Sequence, residues 1–258
     1  MITEEQRVST VAKFEHHRRV WESNEAVRTL YAEWYGRIAA RLPAPEIGPF
    51  IEIGSGPGFA RSFIPTLQLS DIVRAPWLDH EISAECLPFE DGSLGALVLF
   101  DVLHHLAEPG IFFAEASRTL AIGGQLILCE PYLSPLSFPI YRWFHEEPVV
   151  LGVDPLAHQS FGSPGKDPFD GNQGISTLTF DRRKGREALA ARFPSLVLGH
   201  LERLAGPSYV ASGGFSRPPL LPLKLWRAAH AVEAVLPSWL YRLIGFRLLV
   251  SLEKRHAG

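Results

Sequence analysis

Apolar and aromatic residues recur at helical spacing along residues 20–42, where Val20, Val27, Leu30, Tyr31, Trp34, Ile38 and Leu42 form one stripe that Pro43 and Pro45 end. The spacing predicts a helix. Next comes Pro49-Phe50-Ile51-Glu52-Ile53, a short apolar strand that runs into Gly54-Ser55-Gly56-Pro57-Gly58 and then a helical stretch. Further strands are predicted at 67–73, 82–84 and 94–100, the last strongly apolar and bounded by Asp91-Gly92. Residues 107–120 read as helix, and Ile122-Gly123-Gly124 turns it into a strand at 125–129. Strands alternating with helices imply a parallel sheet with right-handed crossovers. Between 130 and 180 the pattern gives way to Pro, Gly, Asp and aromatic residues without a period, as expected of a functional or mobile insertion. Regular structure resumes with a helix at 181–192, a strand at 196–204, an amphipathic stretch at 220–243 and a final strand at 246–252.

A length of 258 residues suits one large domain: a helical cap (1–45), a ligand-binding core (46–130), a substrate-side insertion (131–180) and a C-terminal part (181–258). Hydrophobic residues at 46% and charged residues at 21% exclude disordered and collagen-like classes. The formal charge of -3 offers no cationic footprint for a phosphate backbone, so no nucleic-acid partner is expected. Cys86 and Cys129 lack metal-ligand spacing and suit a reducing, cytoplasmic setting, and residues 1–8 lack the apolar run of a signal peptide. The apolar stretch at 220–252 is broken by Lys224, Arg227, Glu233, Pro237, Arg242 and Arg247, which rules out a membrane span. Core burial, dimerisation or peripheral contact with a lipid surface remain open for it, and the chain is expected as a monomer or homodimer.

The sharpest chemical signal is Glu52-Ile53-Gly54-Ser55-Gly56-Pro57-Gly58. Three glycines at alternate positions after a strand let a ligand approach the backbone closely. The dinucleotide pattern would place its third glycine at position 59, which is Phe59, so the motif favours a nucleoside over a pyrophosphate. Asp71 lies about 20 residues beyond Glu52, where an acid can accept hydrogen bonds from ribose hydroxyls. It also reads as a turn or cap residue.

An acid followed by alternating glycines resembles the first motif of the class I S-adenosylmethionine-dependent methyltransferases. Ser83-Ala84-Glu85-Cys86-Leu87-Pro88-Phe89 is similar to that family's adenine-bordering segment, with Ser83 in place of its usual Asp. Phe100-Asp101-Val102-Leu103-His104-His105-Leu106 is similar to its Leu-His-His stretch, and Ile122-Gly123-Gly124 to its Pro-Gly-Gly turn. The resemblance spans residues 49–131. It implies a Rossmann-like α/β fold with seven strands, mostly parallel with the last reversed, helices on both faces and a loop-rich insertion. It further implies S-adenosyl-L-methionine as cofactor, bound by Glu52, Gly54, Ser55, Gly56, Gly58, Asp71, Ser83, Ala84, Glu85, Asp101 and Val102, and a small-molecule methyl acceptor.

His105, and after it His104, are candidate general bases for a hydroxyl acceptor. As chain neighbours they are expected to point apart, so no metal site is expected. Tyr132, Tyr141, His145 and Asn172 are the candidate acceptor wall, within the wider groups Glu130-Pro131-Tyr132, His145-Glu146-Glu147 and Phe169-Asp170-Gly171-Asn172-Gln173. Segments after the fifth strand lie beyond the carboxyl ends of the strands, where open α/β sheets bind ligands. Tyr31, Trp34 and Tyr35 read first as a packing stripe and second as a lid on the cofactor. Rival readings are an NAD(P)-dependent oxidoreductase and a non-catalytic nucleoside-binding or scaffold protein on the same fold.

Overall fold

Thr3 and Gln6 exchange hydrogen bonds in a capping box that starts helix Glu4–Ser23 (α1), and Asn24 caps the next helix, Glu25–Ala39 (α2). These belong to a computed structural model that describes residues 3–157 and 170–256. The part of the predicted stripe from Val27 to Ile38 falls on α2, which buries Leu30, Trp34, Tyr35 and Ile38, whereas Val20 lies on α1 and Leu42 beyond α2. Polar α1, which buries only Thr10 and Phe14, carries no such stripe and is longer than the sequence pattern suggests.

Strands follow at Phe50–Ile53 (β1), Leu67–Asp71 (β2), His80–Glu81 (β3) and Leu94–Phe100 (β4). Then come helix Pro109–Thr119 (α3), strand Leu120–Pro131 (β5), helices Ser137–Phe144 (α4) and Arg183–Arg192 (α5), and strand Leu196–Leu204 (β6). The chain ends with helices Pro207–Ala211 (α6), Leu223–Ala234 (α7) and Tyr241–Ile244 (α8) and strand Arg247–Lys254 (β7). The strands form one sheet in the order β3-β2-β1-β4-β5-β7-β6. β1 to β5 are parallel, and β7 inserts antiparallel between β5 and β6. This is the expected seven-stranded arrangement.

Side chains alternate between two cores. On one face Phe50, Leu69, Val98 and Ile127 pack with Trp34, Tyr35 and Ile38 of α2; on the other Ile51, Leu97, Leu128 and Val250 pack with Phe112, Phe113 and Leu189. No long helix joins β1 to β2: a 3-10 turn, Phe59–Ser62, stands where the sequence predicts a helix, because Pro65 leaves too few residues before β2. The N-terminal α2 covers that face instead. The predicted strand at 82–84 is the two-residue β3, two residues earlier, and β5 starts at Leu120, five residues before the expected strand.

The insertion is more ordered than its composition suggests. α4 lies within it, with Pro139 in its first turn, where a missing N–H leaves no intrahelical bond unmade. A π-turn, Thr177–Asp181, precedes α5. Residues 158–169 of the insertion, Phe169 among them, lie outside the described residues. The end of the C-terminal apolar stretch, from Phe246 to Leu252, is core; before it Trp226 is buried, donating its indole N–H to the Ser208 carbonyl, whereas Leu220, Leu225, Val232, Val235 and Trp239 are exposed. No helix among the described residues is long and apolar enough to cross a membrane.

Candidate active site

The turn after β1 needs its glycines. Gly54, Gly56 and Gly58 have φ of 70°, 47° and 79°, the left-handed region that side chains disfavour. A Cβ on Gly54 would sit 2.4 Å from Val102 Cγ2, and one on Gly58 would sit 2.8 Å from Trp77 Cδ1. The loop is tied to β2: Ser55 N donates to the Ser70 carbonyl, and Ser70 Oγ and Ser55 Oγ both donate to the Glu52 carbonyl. Asp71 closes the cradle, accepting from Gly56 N at 3.0 Å and from Val73 N at 3.1 Å. Burial pushes its carboxyl up to about 6 against those backbone bonds.

Glu52 lies beneath the loop, 1% exposed. Tyr35 donates to its Oε1 at 2.8 Å, and its Oε2 has no hydrogen-bond partner. Burial raises this carboxyl to about 7 despite the tyrosine. α1 lies over the cradle: the Phe14 ring comes within 3.3 Å of a Cβ built on Gly56, and Arg18 donates to the Pro57 carbonyl while stacking on Trp77. A cavity of about 490 Å³ opens on the flank of the loop between Trp21, Gly58, Phe59 and Trp77.

A second polar cluster stands where β4 and β5 end. Glu130 Oε1 accepts from Val102 N and Leu103 N, both at 2.8 Å, and its Oε2 accepts from His104 Nδ1 at 2.6 Å. The short 3-10 turn Leu103–His105 is therefore anchored on the end of β5. Glu147, from the loop after α4, reaches both histidines, with Oε2 3.3 Å from His104 Nε2 and Oε1 4.0 Å from His105 Nε2. Gln173 Nε2 donates to Glu147 Oε2 at 2.6 Å. Burial alone would lower His104, but the Glu130 and Glu147 carboxylates outweigh it and bring its pKa up to about 10. Burial and the charge on His104 push His105 down to about 3. Beside them Asp101, at φ 58°, holds Arg247 through both carboxylate oxygens at 2.5 and 2.6 Å.

Residues 51–128, from β1 into β5, match the family model described as a methyltransferase domain. Over that segment, the first five strands' core, the chain is similar to methyltransferase domains. The chain is similar in fold to a chain of the complex between the Haloferax volcanii Trm112 methyltransferase activator and a methyltransferase, at 13% identity and TM-score 0.51 over 99% of this chain and 100% of that one. A sarcosine dimethylglycine methyltransferase from Galdieria sulphuraria is 15% identical, with TM-score 0.48 over 88% of this chain and 86% of that one. Geranyl diphosphate C-methyltransferase from Streptomyces coelicolor is 12% identical, with TM-score 0.46 over 88% and 80%. No curated protein matches the chain in sequence.

In the structure, Glu52, Gly54, Ser55, Gly56, Gly58, Asp71 and Val102 come together at the cradle. Several other expected site residues act elsewhere. Asp101 spends both carboxylate oxygens on Arg247, so its side chain is not offered to a cofactor. Glu85 Oε1 accepts from Glu108 N at the entry to α3. Ser83 Oγ accepts from Glu85 N within a turn that buries Ala84. His104 turns both ring nitrogens to carboxylates, Glu130 and Glu147, so neither is turned to an acceptor as a general base. The two histidines do not point apart: their ring centroids are 4.1 Å from each other and both face Glu147. The anchor Glu130 explains this, since it turns the His104 ring back over β5.

The acceptor wall also divides. Tyr141 is buried, donates its hydroxyl to the Phe246 carbonyl and packs edge-on to His145, 5.6 Å between centroids, which keeps this pair near the cluster. Tyr132 instead turns toward the β6–β7 side, with its hydroxyl on the Arg242 carbonyl and Arg203 over its ring. Asn172 is fully buried and its side chain is consumed: Oδ1 accepts from Val150 N and Gly174 N, and Nδ2 donates to the Val150 carbonyl. It clasps the loop that carries Glu147. Asn172→Ala is expected to cost ~2–3 kcal/mol through these unmade bonds, a loss that urea unfolding of the variant would read directly. Arg247 completes the site without having been singled out as a site residue in the sequence, because the partner that defines it lies 146 positions away, and Tyr35 meets the site from beneath the loop through Glu52.

Proposed function

We propose that this protein moves the methyl group of S-adenosylmethionine to an oxygen, nitrogen or carbon of a small, partly hydrophobic metabolite, with the donor in the Gly54–Gly58 cradle and the acceptor against His105, Tyr141 and His145. The observation that carries the reading is the cradle: three left-handed glycines between two buried acids, one of which has an oxygen without a partner. The residues fit the group. Glu52 Oε2 suits a donor group of the ligand, and each Asp71 oxygen keeps a second lone pair for a ribose hydroxyl. Val102 walls the loop from the β4 side. Ser83 and the Ala84 backbone remain the proposed adenine border.

The bound cofactor supplies an activated methyl on a sulfonium, so the protein's own part is mainly alignment of an in-line displacement. His105, with Nδ1 3.4 Å from the Asp170 carbonyl, presents Nε2 toward Glu147 on the proposed acceptor side. A nicotinamide reading is not favoured, since the glycine spacing and the acids suit no pyrophosphate.

Calorimetry with S-adenosylhomocysteine tests the donor site. The parent should bind it, and Asp71→Ala should weaken binding roughly 10–100-fold, the worth of charge-assisted hydrogen bonds. His105→Ala should leave that affinity intact and lower turnover in a screen of acceptors with labelled donor. Binding of NADH in place of S-adenosylhomocysteine, seen as the larger thermal shift, would reject the proposal.

A further inference from the structure

The cluster at the ends of β4 and β5 has more organisation than an acceptor wall requires. His104 and His105 each turn Nδ1 to an oxygen, Glu130 Oε2 at 2.6 Å and the Asp170 carbonyl at 3.4 Å. Each turns Nε2 to the same carboxylate, at 3.3 and 4.0 Å. One ligand atom from each of His104, His105 and Glu147 lies within 4.8 Å of the others. A separation of 3.3 Å is close to the edge between two ligands held roughly 2.0–2.1 Å from a tetrahedral ion.

We propose that His104, His105 and Glu147 form a binding site for one divalent transition-metal ion, with Glu130 as the positioning residue for His104. A carboxylate on the far nitrogen of a ligating histidine fixes its tautomer and ring orientation, which is the part Glu130 plays. Two imidazoles with one carboxylate select Zn²⁺, Co²⁺ or Fe²⁺ over Mg²⁺ or Ca²⁺, which prefer all-oxygen sets. The alternative trio of Asp101, His104 and Glu130 is spent, since Asp101 holds Arg247 and Glu130 holds two backbone amides.

Two further observations point to a ligand here. Gln173, 2% exposed and bonded to Glu147, carries a buried Oε1 without a partner beside the cluster. Gly171 lies so close that a Cβ on it would meet Glu147 Oε2 at 2.4 Å and His105 Nδ1 at 2.9 Å, so the backbone is held against the trio with no side chain between. His105 and Glu147 side chains are each 17% exposed, which leaves the ion a way in and an open position. Resting on the proposed methyl transfer, that position would receive an acceptor oxygen, whose proton a bound cation makes easier to lose. The acceptor class is thereby narrowed to molecules that present a hydroxyl or enol oxygen, its proton passing to solvent as the methyl group is received.

The full chain, stripped with a chelator, is titrated with Co²⁺ and followed by its d–d absorption, and with Zn²⁺ by calorimetry. One ion per chain is expected, with a tetrahedral or five-coordinate cobalt spectrum. Glu147→Gln and His105→Asn should abolish that binding while far-ultraviolet circular dichroism stays as in the parent. Glu130→Gln should weaken it about 10–100-fold. Absence of stoichiometric binding by the folded parent, or undiminished binding in Glu147→Gln, would overturn the proposal, as would a preference for Mg²⁺ that ignores the histidine change. S-adenosylhomocysteine is titrated into the same stripped sample. Binding of it without metal binding removes only the metal site, and failure of both removes the methyl-transfer reading as well.

Discussion

Asp101→Ala is expected to destabilise the protein by ~3–5 kcal/mol, the cost of leaving a buried charge without its partner. Arg247 is 2% exposed at the start of β7, its guanidinium about as far from bulk water as the core leucines. Asp101 meets it with both oxygens, and the rings of Trp34, Phe100 and Tyr209 lie 5.0 to 5.6 Å from its central carbon. Those rings contribute cation–π attraction but cannot neutralise the charge. The loss would be seen in the urea midpoint, and the double variant Asp101→Ala, Arg247→Met should regain most of it because the charge itself is gone. Since Val102 follows Asp101 and walls Gly54, the single variant should also bind S-adenosylhomocysteine less tightly. A midpoint unchanged within error would mean that Arg247 finds water or another anion.

Glu52→Gln should do the opposite to stability, and only above acidic pH. The native carboxyl holds its proton to about pH 7, whereas the unfolded chain releases it near 4.5. Between those values the native state binds more protons, so stability falls as pH rises through the window and the deficit is complete above pH 7. That separation corresponds to ~3 kcal/mol. Glutamine has no charge to bury and keeps an acceptor for Tyr35, so the variant should melt roughly 5–10 °C above the parent at pH 8 and level with it at pH 4. The gain comes with weaker donor binding, because the acid beneath the loop is lost. A melting difference that did not change with pH would show that Glu52 is ionised in the native protein.

The sequence made the frame of the fold legible where one physical signal stood alone. β4 is an unbroken apolar run and β1 one interrupted only by Glu52, as suits strands buried on both faces, and the glycines of the cradle announce backbone conformations that side chains disfavour. α1 was hidden because its stability comes from its cap and polar surface rather than from an apolar stripe. α4 was hidden by Pro139, which reads as a breaker until its place in the first turn is known. In the site, Glu52, Asp71 and the glycines were readable from local spacing. The convergence of Glu130, Glu147 and Gln173 on the two histidines was not, because it depends on loop paths that bring together residues 26 positions or more apart. Asn172 misled for the same reason: an amide in a polar loop looks available until its backbone partners are seen.

Between the cradle and β2 the chain has room only for the turn Phe59–Ser62. Four residues align too few peptide units to project the positive field that a full helix directs from its N-terminus. With Asp71 ionised above about pH 6 behind the loop, the local potential suits the proposed ligand, whose sulfur carries a positive charge. Once that charge has been passed on with the methyl group, part of the attraction disappears, so the spent molecule leaves more easily than the fresh one. A shortened turn thus keeps an opposing helix field off the proposed donor.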